Sequence, residues 1–142
     1  MIIIGVDGWM KFKTIVVIGS RKYRNRSMMR RKLYAELIDN KEENIIVMSG
    51  RCPIKDSVDN WAIKFAKEYN FFPLEVPPRE ENTKHFFERN KIMAHYADKI
   101  IAFIPKNQYR SGTWNCISEF RKMGKSDYRV FDEEGKEWDK KW

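Results

Sequence analysis

Short apolar runs alternate along the chain with longer stretches in which apolar residues recur every three or four positions. Thr14-Ile15-Val16-Val17-Ile18-Gly19 is β-branched and stops at glycine, and Asn44-Ile45-Ile46-Val47-Met48-Ser49-Gly50 repeats the pattern. Phe71-Phe72-Pro73-Leu74-Glu75-Val76 is closed by Pro77-Pro78, and Lys99-Ile100-Ile101-Ala102-Phe103-Ile104 by Pro105. Tyr128-Arg129-Val130-Phe131 is a weaker fifth run. Continuous apolar runs of this length suit parallel strands buried on both faces. Proline inside the third run predicts an edge strand, because it cannot donate to a ladder on both sides.

The intervening stretches read as helices. Ile54, Val58, Trp61, Ala62, Phe65, Ala66 and Tyr69 form one stripe, with Asp56 or Ser57 as its N-cap. Met29, Leu33 and Leu37 outline an earlier helix. Asn82 or Thr83 caps a third, carrying Phe86, Met93, Ala94 and Ala97. Cys116, Ile117, Phe120 and Met123 line a fourth, which Gly124 ends. Strand and helix in alternation predict an α/β fold: a Rossmann-like doubly wound, mainly parallel sheet of about five strands, with helices on both faces. Residues 14–131 form this domain. Residues 1–13 are expected to extend it or add an edge strand, Met10 offers a second start, and the tail 132–142 is expected to pack only through Trp138 and Trp142.

Composition narrows the partners. A chain of 142 residues makes about one domain. Its formal charge of +8 favours phosphates, nucleotides, nucleic acid or another anionic surface. Two cysteines make no disulfide framework and suit a reducing, cytoplasmic setting. No apolar run approaches the roughly 20 residues of a membrane span, so no membrane association is expected.

Ligands of open α/β sheets bind beyond the carboxyl ends of the strands, where strand order reverses. Gly19-Ser20-Arg21 follows the first run and Ser49-Gly50-Arg51-Cys52-Pro53 closes and follows the second. Arg110-Ser111-Gly112-Thr113 follows the fourth after a short loop and opens a helix. Glycine admits an anion close to the backbone, and the free amides of a helix start attract phosphate. None of the three turns matches a dinucleotide G-x-G-x-x-G or a G-x-x-x-x-G-K-[ST] loop. An ordinary NAD enzyme or P-loop NTPase is therefore not expected, nor any organic cofactor. The two cysteines and two histidines lack zinc spacing, so no metal is expected.

Several blocks, in order, resemble the SLOG superfamily, which includes the YspA/YpsA-like proteins, the DNA-processing protein DprA and the Lonely Guy phosphoribohydrolases. The blocks are Val17-Ile18-Gly19-Ser20-Arg21, Ser49-Gly50 with Val58-Asp59, Glu88-Arg89-Asn90 with Met93, Ala97-Asp98, Ile101-Ala102-Phe103 and Ser111-Gly112-Thr113. They are most similar to the YspA-like branch. The resemblance implies a single domain with strand order 3-2-1-4-5 and a nucleotide or nucleotide-derived ligand. It places Gly19, Ser20 and Arg21 at the base or phosphate, Ser49, Gly50 and Asp59 on the opposite wall, and Arg89 and Asn90 reaching in. Ser111, Gly112 and Thr113 would cradle the phosphate, and relatives suggest a homo-oligomer. The alternative is a nucleoside 5′-monophosphate phosphoribohydrolase, cleaving the N-glycosidic bond. Against it, Cys116 stands where the Lonely Guy enzymes carry their catalytic glutamate, leaving Arg89, Glu119 and Asp59 as candidates.

Three further features compete for a role. Arg21 to Lys32 holds seven basic residues in twelve, read as a solvated face, a funnel over the pocket, or a single-stranded nucleic-acid contact with Tyr23 stacking. Cys52 reads as an incidental thiol, since neither His85 nor His95 is held near it by the sequence. Trp114 either stacks on a base or packs against the sheet, while Phe86, Phe87, Trp61 and Phe65 default to core or dimer face.

Overall fold

The structure is a computed structural model that describes residues 2–5, 8–38 and 44–139, without the side chains of residues 2–10. Strand β1 (Ile2–Gly5) turns back antiparallel on the first part of β2 (Gly8–Gly19), with Ile2 opposite Lys11 and Gly5 opposite Gly8. From Phe12 onward β2 runs parallel to β3 (Asn44–Gly50), and from Ile15 it also runs parallel to β5 (Lys99–Phe103). Strands β4 (Phe72–Val76) and β6 (Tyr128–Phe131) complete a parallel sheet ordered β4-β3-β2-β5-β6. Numbered without the hairpin strand, this is the expected 3-2-1-4-5. Pro73 lies on the edge strand β4, as its missing N–H requires.

Two helices cover each face. Helices α1 (Arg26–Leu33) and α2 (Val58–Glu68) bury Met29, Leu33, Trp61 and Phe65 against Ile15, Val17, Ile45 and Val47. Helix α1 continues as a π-helical turn, Tyr34–Ile38. On the other face α3 (Thr83–Tyr96) and α4 (Gly112–Lys122) bury Met93, Ala94, Ile117 and Phe120 against Val16, Ile18, Met48 and Ile100. The alternation within β2 thus feeds two separate cores, which is why its sequence reads as an unbroken apolar run.

Local chemistry sets the ends of these elements. The Asn82 side chain accepts from the amide of His85 and caps α3 (3.0 Å). Gly124, at φ +80°, terminates α4, and Lys125 N–H returns to the carbonyl of Phe120. Helix α2 starts at Val58 with Ser57 as its N-cap, one of the two expected caps, and Asn60 donates to the carbonyls of Ile54 and Lys55 and pins the preceding segment as a loop. The tail does more than pack through a tryptophan. Asp132 accepts from the amides of Glu134 and Lys136, turning the chain at Gly135 (φ +81°) before Trp138 donates to Ile104 O. Trp142 lies outside the described residues.

Lys125 also ties the end of α3 to the loop after α4. Its ammonium donates to the carbonyls of Ala94, His95 and Ala97 at 3.0, 2.6 and 2.8 Å. Two of these are orphan carbonyls of the last turn of α3. Lys125→Met keeps the stem and removes the charge. It is expected to lower unfolding free energy by about 1–2 kcal/mol in urea titration, with an unchanged m-value. Among the described residues, no helix is long and apolar enough to cross a membrane.

Candidate functional site

The direction of winding reverses between β2 and β5. Beyond β2 the chain enters α1 on one face, and beyond β5 it enters α4 on the other. Between these departures opens a cleft of ≈ 510 Å³, lined by residues that include Gly19, Ser20, Arg21, Asp59, Arg89, Asn90, Ser111, Gly112 and Thr113. The turns after β2 and β5 therefore face one another across a shared space, as a switch-point site requires. That volume falls within the usual ~300–1,000 Å³ of small-molecule sites.

Two glycines make the close approaches. A Cβ on Gly19 would lie 2.6 Å from Val58, so glycine there lets the start of α2 rest on the end of β2. A Cβ on Gly50 would lie 2.9 Å from the Arg89 guanidinium carbon. Gly50 does not line the cleft; it leaves room for Arg89 to do so. At Gly112 the corresponding space is open, with no atom within 4 Å beyond its chain neighbours and its own helix backbone.

Charge in the cleft is concentrated and partly dehydrated. The guanidinium carbons of Arg21 and Arg89 lie 5.4 and 5.1 Å from the centroid of the Phe86 ring. Burial pulls the Arg89 guanidinium below its ordinary pKa, opposed by the neighbouring Asp59. Asp59 is buried beneath, and desolvation pushes its carboxyl up from the usual 3.8 to about 7. Arg89, the Gly19 amide and Arg21 each resist that rise. Ser49 is not a wall residue; its hydroxyl donates to Val17 O at 2.6 Å beneath the floor. A carbonyl can only accept, so the single Ser49 proton is committed there. Ser49 can therefore pair with Asp59 only as an acceptor, which favours the protonated acid.

Hydrogen-bonding capacity is left open in the same place. Among the described residues, six buried side-chain polar atoms lack a partner, and four belong to cleft residues: Ser57 Oγ, Asp59 Oδ1, Arg89 Nε and Ser111 Oγ. Folded proteins rarely leave such atoms unsatisfied, and four of the six gather in this one cleft.

Other expected residues brace the site. Ser20 donates to Gln108 (2.5 Å) and accepts from Lys22 N, which anchors the β5–α4 loop over β2. Asn90 is buried and donates to Gly112 O and Asn115 Oδ1, both at 3.0 Å, fixing the start of α4 against α3. Gln108, Ser57, Phe86 and Lys22 also line the cleft, and the sequence singles out none of them as ligand contacts.

Several expectations need correction. Glu119 is not a cleft residue and pairs with Lys122 at 3.4 Å. Cys116 is fully buried, its thiol pushed up to about 12 by desolvation, and it donates to Asn90 O. Of the two readings of Trp114, packing holds: it packs against the core of the α3–α4 face, its indole donates to Gln108 O and its ring meets Trp138 edge-on. Tyr23 is buried and donates to Asp132 O, so it offers no face for stacking. Of the basic run, Arg30 makes two hydrogen bonds to Glu68, and Arg26 and Lys32 lie over the Trp61 and Phe131 rings. No three His, Cys, Asp or Glu side chains converge among the described residues.

The chain matches no family model, no curated protein and no solved structure. Only the cleft's own chemistry bears on function.

Proposed function

We propose that the chain binds a nucleotide or nucleotide-derived ligand through its phosphate in this cleft, as a SLOG-type, Rossmann-like, doubly wound domain of the YspA/YpsA-like branch. The observation that carries the reading is the meeting of the Gly19-Ser20-Arg21 and Ser111-Gly112-Thr113 turns with Arg89 in one cleft. A phosphate at the start of α4 meets free amides and the positive end of the helix dipole. The dipole contributes about 0.3–1 kcal/mol, and each charged hydrogen bond roughly 1.5–3 kcal/mol. Arg21, Arg89 and the α4 amides together exceed the roughly 4 kcal/mol of a millimolar complex.

The phosphoribohydrolase reading has less support. Cys116 is buried and protonated at neutral pH, and Glu119 is elsewhere, which leaves Asp59 as the one carboxyl among the lining residues. Binding through the basic run is also less supported, because Tyr23 is buried and Arg30 is paired.

The open space at Gly112 provides the test. Gly112→Ala is expected to melt within about 2 °C of wild type, since nothing opposes the new methyl. The same methyl intrudes where the anion approaches the amides and should weaken nucleoside monophosphate binding at least tenfold in calorimetry. Chromatography of the same samples should return intact AMP, CMP and GMP. Equal affinity in both proteins would remove the α4 turn from the binding site, and released base would restore the hydrolase.

A further inference from the structure

We propose that the cleft has a second anion subsite, at the start of α2, and that its ligand carries two anionic groups held apart rather than one. The inference rests on the nucleotide reading and deepens it.

Helices α2 and α4 each span eleven residues, and both begin at the cleft. Each has a serine at its N-cap in extended conformation, Ser57 and Ser111, and neither hydroxyl caps its own helix. An N-cap serine ordinarily accepts from an amide two or three residues on. Here both hydroxyl oxygens are buried and, among the described residues, without any partner. Ser57 is only 4% exposed and lines the cleft. The loop before it is held in place, since Asn60 donates to Ile54 O and Lys55 O, and the Trp61 indole donates to Asp56. The start of α2 is thus held in place by its loop and carries an unpartnered hydroxyl, with Asp59 in its first turn.

Charge points the same way. Arg21, Lys22 and Arg89 line the cleft against a single acid, Asp59. Asp59 is held mostly protonated at slightly acid pH by the desolvation described above. A phosphate group carries at most about two negative charges at neutral pH, so three cations exceed what one phosphate neutralises. Helix α2 packs on one face of the sheet and α4 on the other, so their starts reach the cleft from opposite sides. Two anionic groups set apart on a ligand, as on opposite sides of a ribose, suit that arrangement better than two contiguous phosphates.

The probes are the 5′-monophosphates, 5′-diphosphates and 3′,5′-bisphosphates of adenosine and guanosine, titrated by calorimetry at pH 6.5. In at least one base series the bisphosphate is expected to bind at least tenfold tighter than the monophosphate, and the diphosphate less than threefold tighter. Ser57→Asp keeps a strong N-cap and places a negative charge at the subsite, so the bisphosphate advantage should collapse to near unity. Thermal melting confirms that this variant folds. Monophosphate binding with no bisphosphate gain, or an equal gain for the diphosphate, overturns the inference and leaves the nucleotide reading standing. Absence of binding by every probe removes both.

Discussion

Asp59→Asn is expected to abolish a decline in stability that the native protein shows between about pH 4 and pH 7. In the unfolded chain the carboxyl loses its proton near the ordinary 3.8, whereas in the folded protein it holds it to about 7. Below both values the acid is protonated in either state and the fold bears no penalty. As pH rises between them, the unfolded state binds fewer protons than the folded one, and stability falls. Above about 7 the charge is present in both states, and the loss is complete. A tenfold change in proton affinity is worth about 1.4 kcal/mol, so the total is on the order of 4 kcal/mol. Asparagine copies the protonated acid: its carbonyl accepts from the Gly19 amide and its NH2 donates to Ser49. Urea titrations from pH 4 to 8 should show a sloping wild type and a nearly level variant, with the variant more stable at pH 8. Parallel slopes would mean that Asp59 is not the group that titrates.

Replacing Arg89 by alanine should weaken nucleoside monophosphate binding roughly 10- to 100-fold, the equivalent of one or two charged hydrogen bonds. Arg89 is the cation with the least freedom in the cleft: Gly50 backs it, Phe86 lies against it, and its Nε has no partner among the described residues. Its loss also removes the strongest opposition to the proton on Asp59. The decline in stability should therefore still begin near pH 4 but extend to higher pH in the same variant. Calorimetry and a pH series of urea titrations read the two effects separately. Arg21→Ala should weaken binding less, because Arg21 is exposed and water screens its charge.

Much of this architecture is visible in the one-dimensional pattern. The runs that became β2, β3 and β5 are apolar because a strand buried on both faces must be apolar at successive positions, as Val16 and Val17 illustrate by entering different cores; the edge strand β4 is more exposed and its run holds Pro73 and Glu75. The edge position of Pro73 and the helix ends at Asn82 and Gly124 follow from single-residue stereochemistry. The early part of β2 was hidden because Lys11 and Lys13 break the apolar pattern where the strand pairs with β1 before the parallel sheet begins.

The site was legible where backbone chemistry demanded particular residues and obscure where side chains served one another. Gly19, Arg21, Arg89 and Gly112 belong to the first kind. Gln108 belongs to the second: it latches Ser20 from a loop without periodicity, and a lone glutamine gives no signal. Tyr23 was masked by the cations around it, although its ring packs edge-on against Phe103 in the core. Ser49 was recognisable as a site residue, but its position beneath Asp59 depends on a contact across two strands.

The central claim is that the turns after β2 and β5 form one anion site. A crystal of the protein soaked with a nucleoside 5′-monophosphate tests it most directly. Phosphate density within hydrogen-bonding distance of the Gly112 and Thr113 amides and the Arg89 guanidinium is the expected result. Phosphate bound instead along the exposed basic face of α1, with the cleft holding only solvent, would contradict it.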